Sequence, residues 1–238
     1  MAAARPNPTH LAIHHLINLG RVRGGLITQN VDGLHSMMLR PVELHGALRH
    51  VGCLSCGGRV PRWEYQRRLE ALNPMWRELG VELRGRQAKV NPDGDVDLEG
   101  VDYGSFRYPA CRQCAGVEVD GDGAHVAVGK ARGVMKPTVT FFGESVQGRV
   151  REEADRLVRE CDAIVVLGSS LATLSAWRLV KDAKEAGKGV GVLNLGGVRQ
   201  EGDLFGEREE GERLRVQFPA GDVLNGVVKE LDPGGKCW

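Results

Sequence analysis

Neither sign of charge predominates in this sequence. The chain holds 32 lysine and arginine residues against 31 aspartate and glutamate residues, so its formal net charge is +1. A balanced charge supplies no overall field that attracts DNA, RNA or anionic lipid. We therefore expect no specific nucleic-acid partner, because such a role would need a local basic patch.

Long apolar runs are also missing. No stretch approaches the roughly 18 apolar residues that suggest a transmembrane helix, so we expect no membrane partner. No internal repeat and no secretory leader is visible. At 238 residues and 42% apolar content, the chain is long enough to bury a core in one medium domain that carries a small satellite module.

Four of the six cysteines form two short pairs. The pairs are Cys53-x-x-Cys56 and Cys111-x-x-Cys114, a spacing that lets both thiolates of a pair reach one metal ion. In a chain without a visible secretory leader, this spacing favours a structural zinc site. Reduced or disulfide-linked cysteines remain the alternative from spacing alone.

The sequence around the cysteine pairs differs in composition from the rest of the chain. Residues 47–135 are rich in turn residues, with a modest helical pattern from Tyr65 to Leu72. We interpret them as a small inserted module, with a flexible surface loop near 119–133. Cys161 and Cys237 fit no motif, so we expect core packing for the first and an exposed terminal thiol for the second.

Alternating strand and helix patterns stand on both sides of this module. Asn7 and Pro8 begin a predicted helix, and a short buried strand over 25–28 follows. The later predicted elements are a strand over 138–142, a helix over 151–159, a buried strand over 163–167, a helix to about 186, a strand over 189–195, an edge strand over 214–218 and a last helix capped by Asp222. This order predicts an α/β fold with a doubly wound parallel sheet, formed by residues 1–46 and 136–238.

Polar and small residues follow several of these strands. Gln29, Asn30 and Asp32 come after the first strand, and Gly168-Ser169-Ser170 follows the strand over 163–167. Open α/β sheets bind ligands at the carboxyl ends of parallel strands, and glycine and serine suit the close approach of a nucleotide. For the first segment, an Asx turn that caps the next helix is an equally good interpretation.

Several motifs, in one order along the chain, resemble those of the sirtuins. They are Thr28 to His35 (TQNVDGLH), Glu43 to Gly46 (ELHG), the two cysteine pairs, Lys136 to Glu144 (KPTVTFFGE), Gly168 to Leu171 (GSSL) and Asn194 to Gly196 (NLG). Independent motifs in register are far more specific than any one alone. The sequence around the cysteines is most similar to the mitochondrial class II branch of the family, represented by the fourth vertebrate sirtuin.

The resemblance implies a Rossmann-like NAD-binding domain with a zinc-binding module inserted at 47–135. It implies NAD-dependent removal of an acyl group from a protein lysine, with release of nicotinamide and transfer of the acyl group to ADP-ribose. ADP-ribosyl transfer is the other activity proposed for the branch. The implied partner is an acylated-lysine protein or peptide, which would enter a cleft between the two modules, and the implied location is the mitochondrial matrix.

The resemblance also assigns roles to residues. His45 would act as general base on a ribose hydroxyl, which suits an imidazole with an unperturbed pKa of about 6.5. Asn30 and Asp32 would act with it, holding the ribose and the nicotinamide carboxamide. The expected cofactor contacts are Gln29, Asn30, Asp32, Gly168, Ser169, Ser170, Asn194, Leu195, Gly196 and Ala220. The expected acyl-peptide contacts are Thr140, Phe142, Gly143 and Glu144, and the expected ligands of one structural zinc ion are Cys53, Cys56, Cys111 and Cys114.

The sequence departs from the family pattern at its start. The family's first strand and its glycine-rich phosphate loop are expected before residue 8, where the sequence offers no counterpart, so the Rossmann-like domain is expected to be N-terminally incomplete. Because such a loop supplies backbone amides to a pyrophosphate, a second hypothesis is a truncated, catalytically weak protein that binds zinc and peptide. A zinc-ribbon nucleic-acid binder rests on the cysteine pairs alone, and the near-zero net charge disfavours it.

Overall fold

The structure is a computed structural model, and it describes residues 4–84, 102–115, 133–206 and 213–234. The flexible loop predicted near 119–133 lies outside these residues except for Gly133, and so does the terminal Cys237. By the contacts between its residues, the chain divides into two compact units. The first unit is Met1–Ala47 with Thr140–Trp238, and the second is Leu48–Val139.

The described helices and strands follow one another in this order: α1 (Pro8–Asn18), β1 (Ile27–Thr28), β2 (Val42–Glu43), β3 (Gly46–Cys53), β4 (Arg59–Pro61), α2 (Arg62–Leu72), α3 (Pro74–Arg84), α4 (Arg112–Ala115), β5 (Met135–Val139), α5 (Gly148–Glu160), β6 (Ala163–Leu167), α6 (Leu174–Glu185), β7 (Gly189–Leu193), α7 (Glu201–Phe205), β8 (Arg213–Val216) and α8 (Ala220–Leu231). Single 3₁₀ turns cover His35–Met37 and Tyr103–Ser105. None of the helices in the described ranges is long and apolar enough to cross a membrane.

Helix α1 begins where the sequence predicts it. The side-chain oxygen of Asn7 accepts a hydrogen bond of 3.1 Å from the backbone N–H of His10, and Pro8 occupies the first helical position. The N–H groups at the start of a helix have no partner within the helix. Asn7 supplies an acceptor for one of them, and Pro8 has no N–H that would need one. The buried face of the helix carries Ala12, Ile13 and Leu16, and it packs on α8.

The strands of the first unit are parallel, as the alternating pattern predicts. Strand β1 pairs with β2, and β6, β7 and β8 pair in that order. Within the described residues these strands form two separate hydrogen-bonded groups instead of the single sheet that was predicted. The two groups nevertheless share one core, because Ile27 and Val42 pack against the cluster that contains Val166, Val190 and Val192.

Helices cover both faces of the three-stranded group. Val166 belongs to the core cluster that includes residues of α5 and α6, whereas its neighbour Leu167 packs against the cluster formed by α1 and α8. Successive residues of a strand point to opposite faces, so the helices lie on opposite sides. This is the doubly wound arrangement.

Strand β6 corrects one prediction, because it is not buried throughout. Val165 is 65% exposed at the middle of the strand, while Val166 is buried. Leu167, on the same face of the strand, packs against the cluster of α1 and α8, whereas Val165 belongs to none of the hydrophobic clusters of the described residues. The all-apolar sequence of β6 therefore gave no sign that exposed and buried positions alternate along the strand.

Other elements also differ from the predictions. The strand expected over 138–142 ends at Val139, after which the chain turns away. Asp222 lies in the first turn of α8 and does not cap it, since Pro219 precedes the helix; a carboxylate there suits the positive end of the helix dipole. Helix α3 was not predicted, although Pro74 at a first helical position was the available signal.

The second unit is built around a three-stranded sheet in the order β4-β3-β5. Its small core joins Val51, Tyr65 and Met135 to two of the cysteines, Cys53 and Cys111. The phenol oxygen of Tyr65 donates a hydrogen bond to the carbonyl of Pro109, two residues before Cys111. The sheet and α2 thus position both ends of the cysteine cluster.

Two buried histidines lie against each other in the first unit. The ring centroids of His10 and His35 are 4.4 Å apart, and in the described part of the chain neither His10 Nε2 nor His35 Nδ1 has a hydrogen-bond partner. Burial, and next the neighbouring His10, lowers the pKa of His35, and the carboxylate of Asp32 opposes this shift. Protonation of His35 is therefore less favourable in the folded protein than in the unfolded chain.

This pair makes the stability sensitive to acid. Because the folded pKa of His35 lies below its unfolded value of 6.5, the unfolded chain binds more protons once the pH falls below about 6.5. We expect the Tm to fall as the pH is lowered from 7 through that range. In His35→Gln the fall should be shallower, whereas the partly exposed His14→Gln should keep the wild-type slope. Thermal unfolding of the three proteins between pH 5 and 7.5 measures this, and parallel curves for all of them would contradict it.

Candidate active site and metal centre

The four paired cysteines come together in the second unit. Their sulfur atoms all lie within 4.8 Å of one another, with Cys53 Sγ 3.6 Å from Cys114 Sγ and Cys56 Sγ 3.7 Å from Cys111 Sγ. A tetrahedral zinc ion with bonds of about 2.3 Å spaces its sulfur ligands about 3.8 Å apart. A disulfide needs about 2.05 Å, so the disulfide alternative does not describe these residues.

Tight turns present the thiols to one point. The N–H of Ser55 donates to Cys53 Sγ at 3.3 Å, and the N–H of Gly58 donates to Cys56 Sγ at 3.4 Å. Gly133 has a φ of +87°, and a Cβ there would stand 3.2 Å from the Cβ of Cys114. Glycine is needed at that position for both reasons. The four cysteines are thus placed to hold one zinc ion.

The thiols differ in acidity. Burial opposes ionisation of Cys53, but hydrogen bonds from the backbone N–H groups of Cys56 and Ser55 outweigh it and lower its pKa to about 6. Hydrogen bonding to Cys56 raises the pKa of the Cys114 thiol to about 12. A second thiolate beside the first is unfavourable without a cation, and a divalent ion at the centre removes that penalty. Because four cysteines fill a tetrahedral shell, such an ion is structural and leaves no position for a reacting water.

In the first unit, the pairing of β1 with β2 brings two predicted site residues together. The N–H of Leu44 donates to the carbonyl of Thr28 at 2.9 Å, so the next residues, Gln29 and His45, leave the strands side by side. The imidazole Nδ1 of His45 lies 3.3 Å from the backbone oxygen of Gln29. A carbonyl oxygen only accepts, so this nitrogen carries the hydrogen.

The other ring nitrogen of His45 faces a residue that the sequence did not indicate. Nε2 lies 2.9 Å from the hydroxyl oxygen of Ser175, which stands in the first turn of α6. The available signal was its place just after the loop that follows β6. His45 and Ser175 are both partly exposed, so the contact is open to a ligand.

The side chain of Gln29 ties the loop after β1 to the loop between β6 and α6. Its Nε2 donates to the hydroxyl of Ser169 at 2.8 Å, and its Oε1 accepts from the hydroxyl of Thr173 at 3.1 Å. Ser169 also accepts the N–H of Leu171, a buried residue with a φ of +55°. A leucine in the left-handed region is strained, and such strain is typical of functional loops. Gln29, predicted to face a ribose, uses its amide within the protein.

Asn30 and Asp32 lie beyond the end of β1 and are exposed. The carboxylate of Asp32 accepts the N–H of Leu34 at 2.9 Å, which is an Asx turn before the 3₁₀ turn at His35. The N–H of Asn30 donates to the hydroxyl of Thr28. The Asx turn of the second interpretation is therefore present, although no side chain caps the 3₁₀ turn that follows. Ligand binding by Asn30 and Asp32 stays a prediction.

The loop after β7 is held by a pair of charges that the sequence analysis missed. Arg215 donates to the carboxylate of Glu201 at 2.7 Å, and it also donates to the backbone oxygens of Asn194 and Gly196. The hydrogen bond from Arg215, and next that from the N–H of Val198, lowers the pKa of Glu201. Arg215 lies in β8, which overlaps the edge strand predicted over 214–218, but no pattern in the sequence indicated its partner Glu201.

The other predicted cofactor residues lie at the same edge of the sheet. Gly168 and Ser170 follow β6, and Leu195 follows β7, where it is 66% exposed. Ala220 begins α8, four residues after the carboxyl end of β8. Gly168 has a φ of +60°, and a Cβ there would meet nothing within 4 Å, so the turn is open to a ligand. Parallel strands place all of these ends together.

The predicted peptide contacts form an exposed turn beside His45. The N–H of Thr140 donates to the carbonyl of His45 at 2.9 Å, and the carboxylate of Glu144 accepts the N–H of Phe141. Gly143 has a φ of +87°, and Phe142 is fully exposed. A bare phenylalanine ring at the tip of a turn is an unusual use of apolar surface.

Comparisons with known proteins agree with this architecture. The model of the Sir2 family matches residues 1–175, and the chain belongs to that family. It is 37% identical over 241 residues to the NAD-dependent protein deacylase SIR4 of Batrachochytrium dendrobatidis, a match that covers 97% of the chain and 70% of the relative. It is also 37% identical over 227 residues to an NAD-dependent protein deacetylase of Bordetella bronchiseptica, covering 94% of the chain and 71% of the relative.

A solved structure shares the fold. The structure of Sir2Af2 bound to a myristoylated histone peptide superposes with a TM-score of 0.59 at 27% identity, and the match covers 97% of this chain and 73% of that one. The first unit therefore has the Rossmann-like α/β fold of the family.

The cysteine cluster yields a test that needs no enzyme assay. We expect the purified protein to contain about one zinc ion per chain. Cys53→Ser should lose most of that zinc and the order of the second unit, because a buried ligand and part of its small core are removed together. Cys161→Ser is the matched control and should keep its zinc. Metal analysis with circular dichroism measures both, and a folded Cys53→Ser protein with full zinc content would contradict the assignment.

Proposed function

We propose that this chain is an NAD-dependent protein-lysine deacylase that releases nicotinamide and transfers the acyl group to ADP-ribose. Its membership of the Sir2 family and the names of its relatives support the proposal. The observation that carries it is the position of His45. This histidine stands at the carboxyl edge of the parallel strands, and its Nδ1 is hydrogen-bonded to the backbone carbonyl of Gln29. Its Nε2 is thereby left as the basic nitrogen, as a general base requires.

The residues at this edge suit a dinucleotide. Glycines and hydroxyl side chains follow β6, and an asparagine with an adjacent glycine follows β7. Such ends leave room for phosphate and ribose groups, which the backbone N–H groups and hydroxyls can bind. Bound NAD supplies an electrophilic ribose carbon when nicotinamide leaves. Gly168, Ser169, Asn194 and Gly196 are the residues that we propose hold it.

His45 would take the proton of a ribose hydroxyl at Nε2. The electron pair of that O–H bond stays on the ribose oxygen, which becomes the nucleophile toward the acyl carbon. As the new carbon–oxygen bond forms, the bond from the acyl carbon to the lysine nitrogen breaks, and the lysine leaves as the free amine with the proton that His45 took up. Water supplies the hydroxyl at the ribose carbon that nicotinamide left. Asn30 and Asp32 would hold the ribose and the carboxamide, and the turn of Phe142, Gly143 and Glu144 would bind the acyl-peptide as a partner. An added strand gains affinity from its backbone, and side chains beside it select the acyl group.

The decisive substitution is His45→Tyr. A general base contributes about 10²- to 10⁴-fold to a rate, so we expect deacylation of an acetyl-lysine peptide to fall by at least about 100-fold while NAD binding is kept. His14→Gln, in α1, should retain full activity. Release of nicotinamide and formation of O-acyl-ADP-ribose give the measurement. Deacylation that survives in His45→Tyr would refute the role.

A second candidate is a weak or inactive relative that binds zinc and an acyl-peptide without turnover. The observation that favours it is the separation of the described parallel strands into two hydrogen-bonded groups, which divides the edge where a dinucleotide would lie. Peptide binding with full zinc content but no nicotinamide release would support this candidate. We also propose ADP-ribosyl transfer to a protein as a further activity of the same site. Transfer of radiolabel from NAD to a protein would detect it.

The finer placement within the family is also a proposal. We place the chain near the mitochondrial class II branch, and the relative named SIR4 supports this at 37% identity. The matrix location follows from the branch alone. Fractionation of source cells, with an antibody raised against this chain, should recover the protein with matrix markers. Recovery with cytosolic markers would contradict the location and leave the proposed activity untouched.

A further inference from the structure

The contact between Ser175 and His45 has a defined direction. Because the carbonyl of Gln29 only accepts, Nδ1 of His45 carries the hydrogen and Nε2 holds the lone pair in the neutral ring. The hydroxyl of Ser175, 2.9 Å away, must then donate to Nε2. The imidazole therefore donates a hydrogen bond at Nδ1, to Gln29, and accepts one at Nε2, from Ser175.

A hydroxyl suits this position because it can reverse its role. When Nε2 gains a proton, its new N–H can donate to the same Ser175 oxygen after a rotation about the C–O bond. A carbonyl could serve only the charged ring, and an ammonium group only the neutral one. Ser175 therefore matches both protonation states of a group whose task is to gain and lose a proton.

Ser175 is itself held in place. It lies in the first turn of α6, two residues after Thr173, whose hydroxyl donates to the side chain of Gln29. The backbone carbonyl of Thr173 accepts the N–H of Trp177, a buried residue of the same helix. The start of α6 is thus bound to the end of β1 through Thr173 and to the end of β2 through Ser175. Neither anchor needs a ligand.

We propose that Ser175 is a positioning residue for His45. Its hydroxyl fixes the ring orientation and, with the Gln29 carbonyl, the tautomer that leaves Nε2 basic. Nε2 has one lone pair, so the Ser175 hydroxyl turns away from it when a ribose hydroxyl gives its proton there, and the Ser175 oxygen then accepts a share of the N–H that forms. The inference rests on the proposed function for its catalytic consequence, whereas its structural content stands on the two contacts of the imidazole.

The first test is the ¹⁵N NMR spectrum of the His45 ring in the wild-type protein without NAD. We expect a protonated Nδ1 and an unprotonated Nε2 that accepts a hydrogen bond. In Ser175→Ala the Nε2 resonance should move and the ring should lose its single orientation, and Ser175→Thr should restore the wild-type signals. A wild-type ring protonated at Nε2, or an unchanged spectrum in Ser175→Ala, would overturn the inference.

Kinetics supply the second test. Loss of one hydrogen bond is worth about 1.4 kcal/mol, so kcat for deacylation should fall about tenfold in Ser175→Ala, with the KM for NAD unchanged. Ser175→Thr should recover kcat, and Ser105→Ala, a serine of the second unit, should not alter it. A normal kcat in Ser175→Ala would overturn the positioning role. If the wild-type protein shows no deacylation while the NMR result is as expected, the proposed function fails and the ring contact is upheld.

Discussion

The site in the first unit depends on a very short parallel pairing. Strand β1 has two residues and so does β2, and the bond from the N–H of Leu44 to the carbonyl of Thr28 sets their register. That register decides which residues emerge together at the strand ends. A slip of one residue would turn the neighbouring side chains to the opposite face and separate His45 from the Gln29 carbonyl. Two residues of strand cannot hold such a register alone, and the packing of Ile27 and Val42 against the larger core supplies the support.

The two units are stabilised by different means. The first unit buries leucine and valine side chains of α5, α6, α7 and β7 in one large cluster, and Leu204 of α7 is almost fully enclosed. The second unit has a smaller core in the described residues, and that core includes Cys53 and Cys111. A small core that contains metal ligands gains much of its stability from the ion, as in other small zinc modules. Loss of zinc should therefore affect the fold of the second unit before it affects any chemistry.

Much of this arrangement could be read from the sequence because it depends on local rules. Asn7-Pro8 predicted a helix start, and the apolar run over 163–167 predicted β6 to the residue. The cysteine spacing predicted a cluster whose geometry fits zinc. The roles of the other site residues stay predictions. The features that the sequence did not predict depend on how each strand or helix packs against the others. The exposure of Val165 and the contact between His45 and Ser175, 130 residues apart, follow from tertiary packing that no local pattern encodes.

We propose that the carboxyl edge of the parallel strands binds NAD and presents it to His45. Isothermal calorimetry of NAD with this 238-residue chain, with zinc content determined on the same sample, tests it most directly. We expect saturable binding at one site per chain, weakened by removal of the side chains that follow β6 and β7. A folded, zinc-loaded protein that gives no binding signal would contradict it.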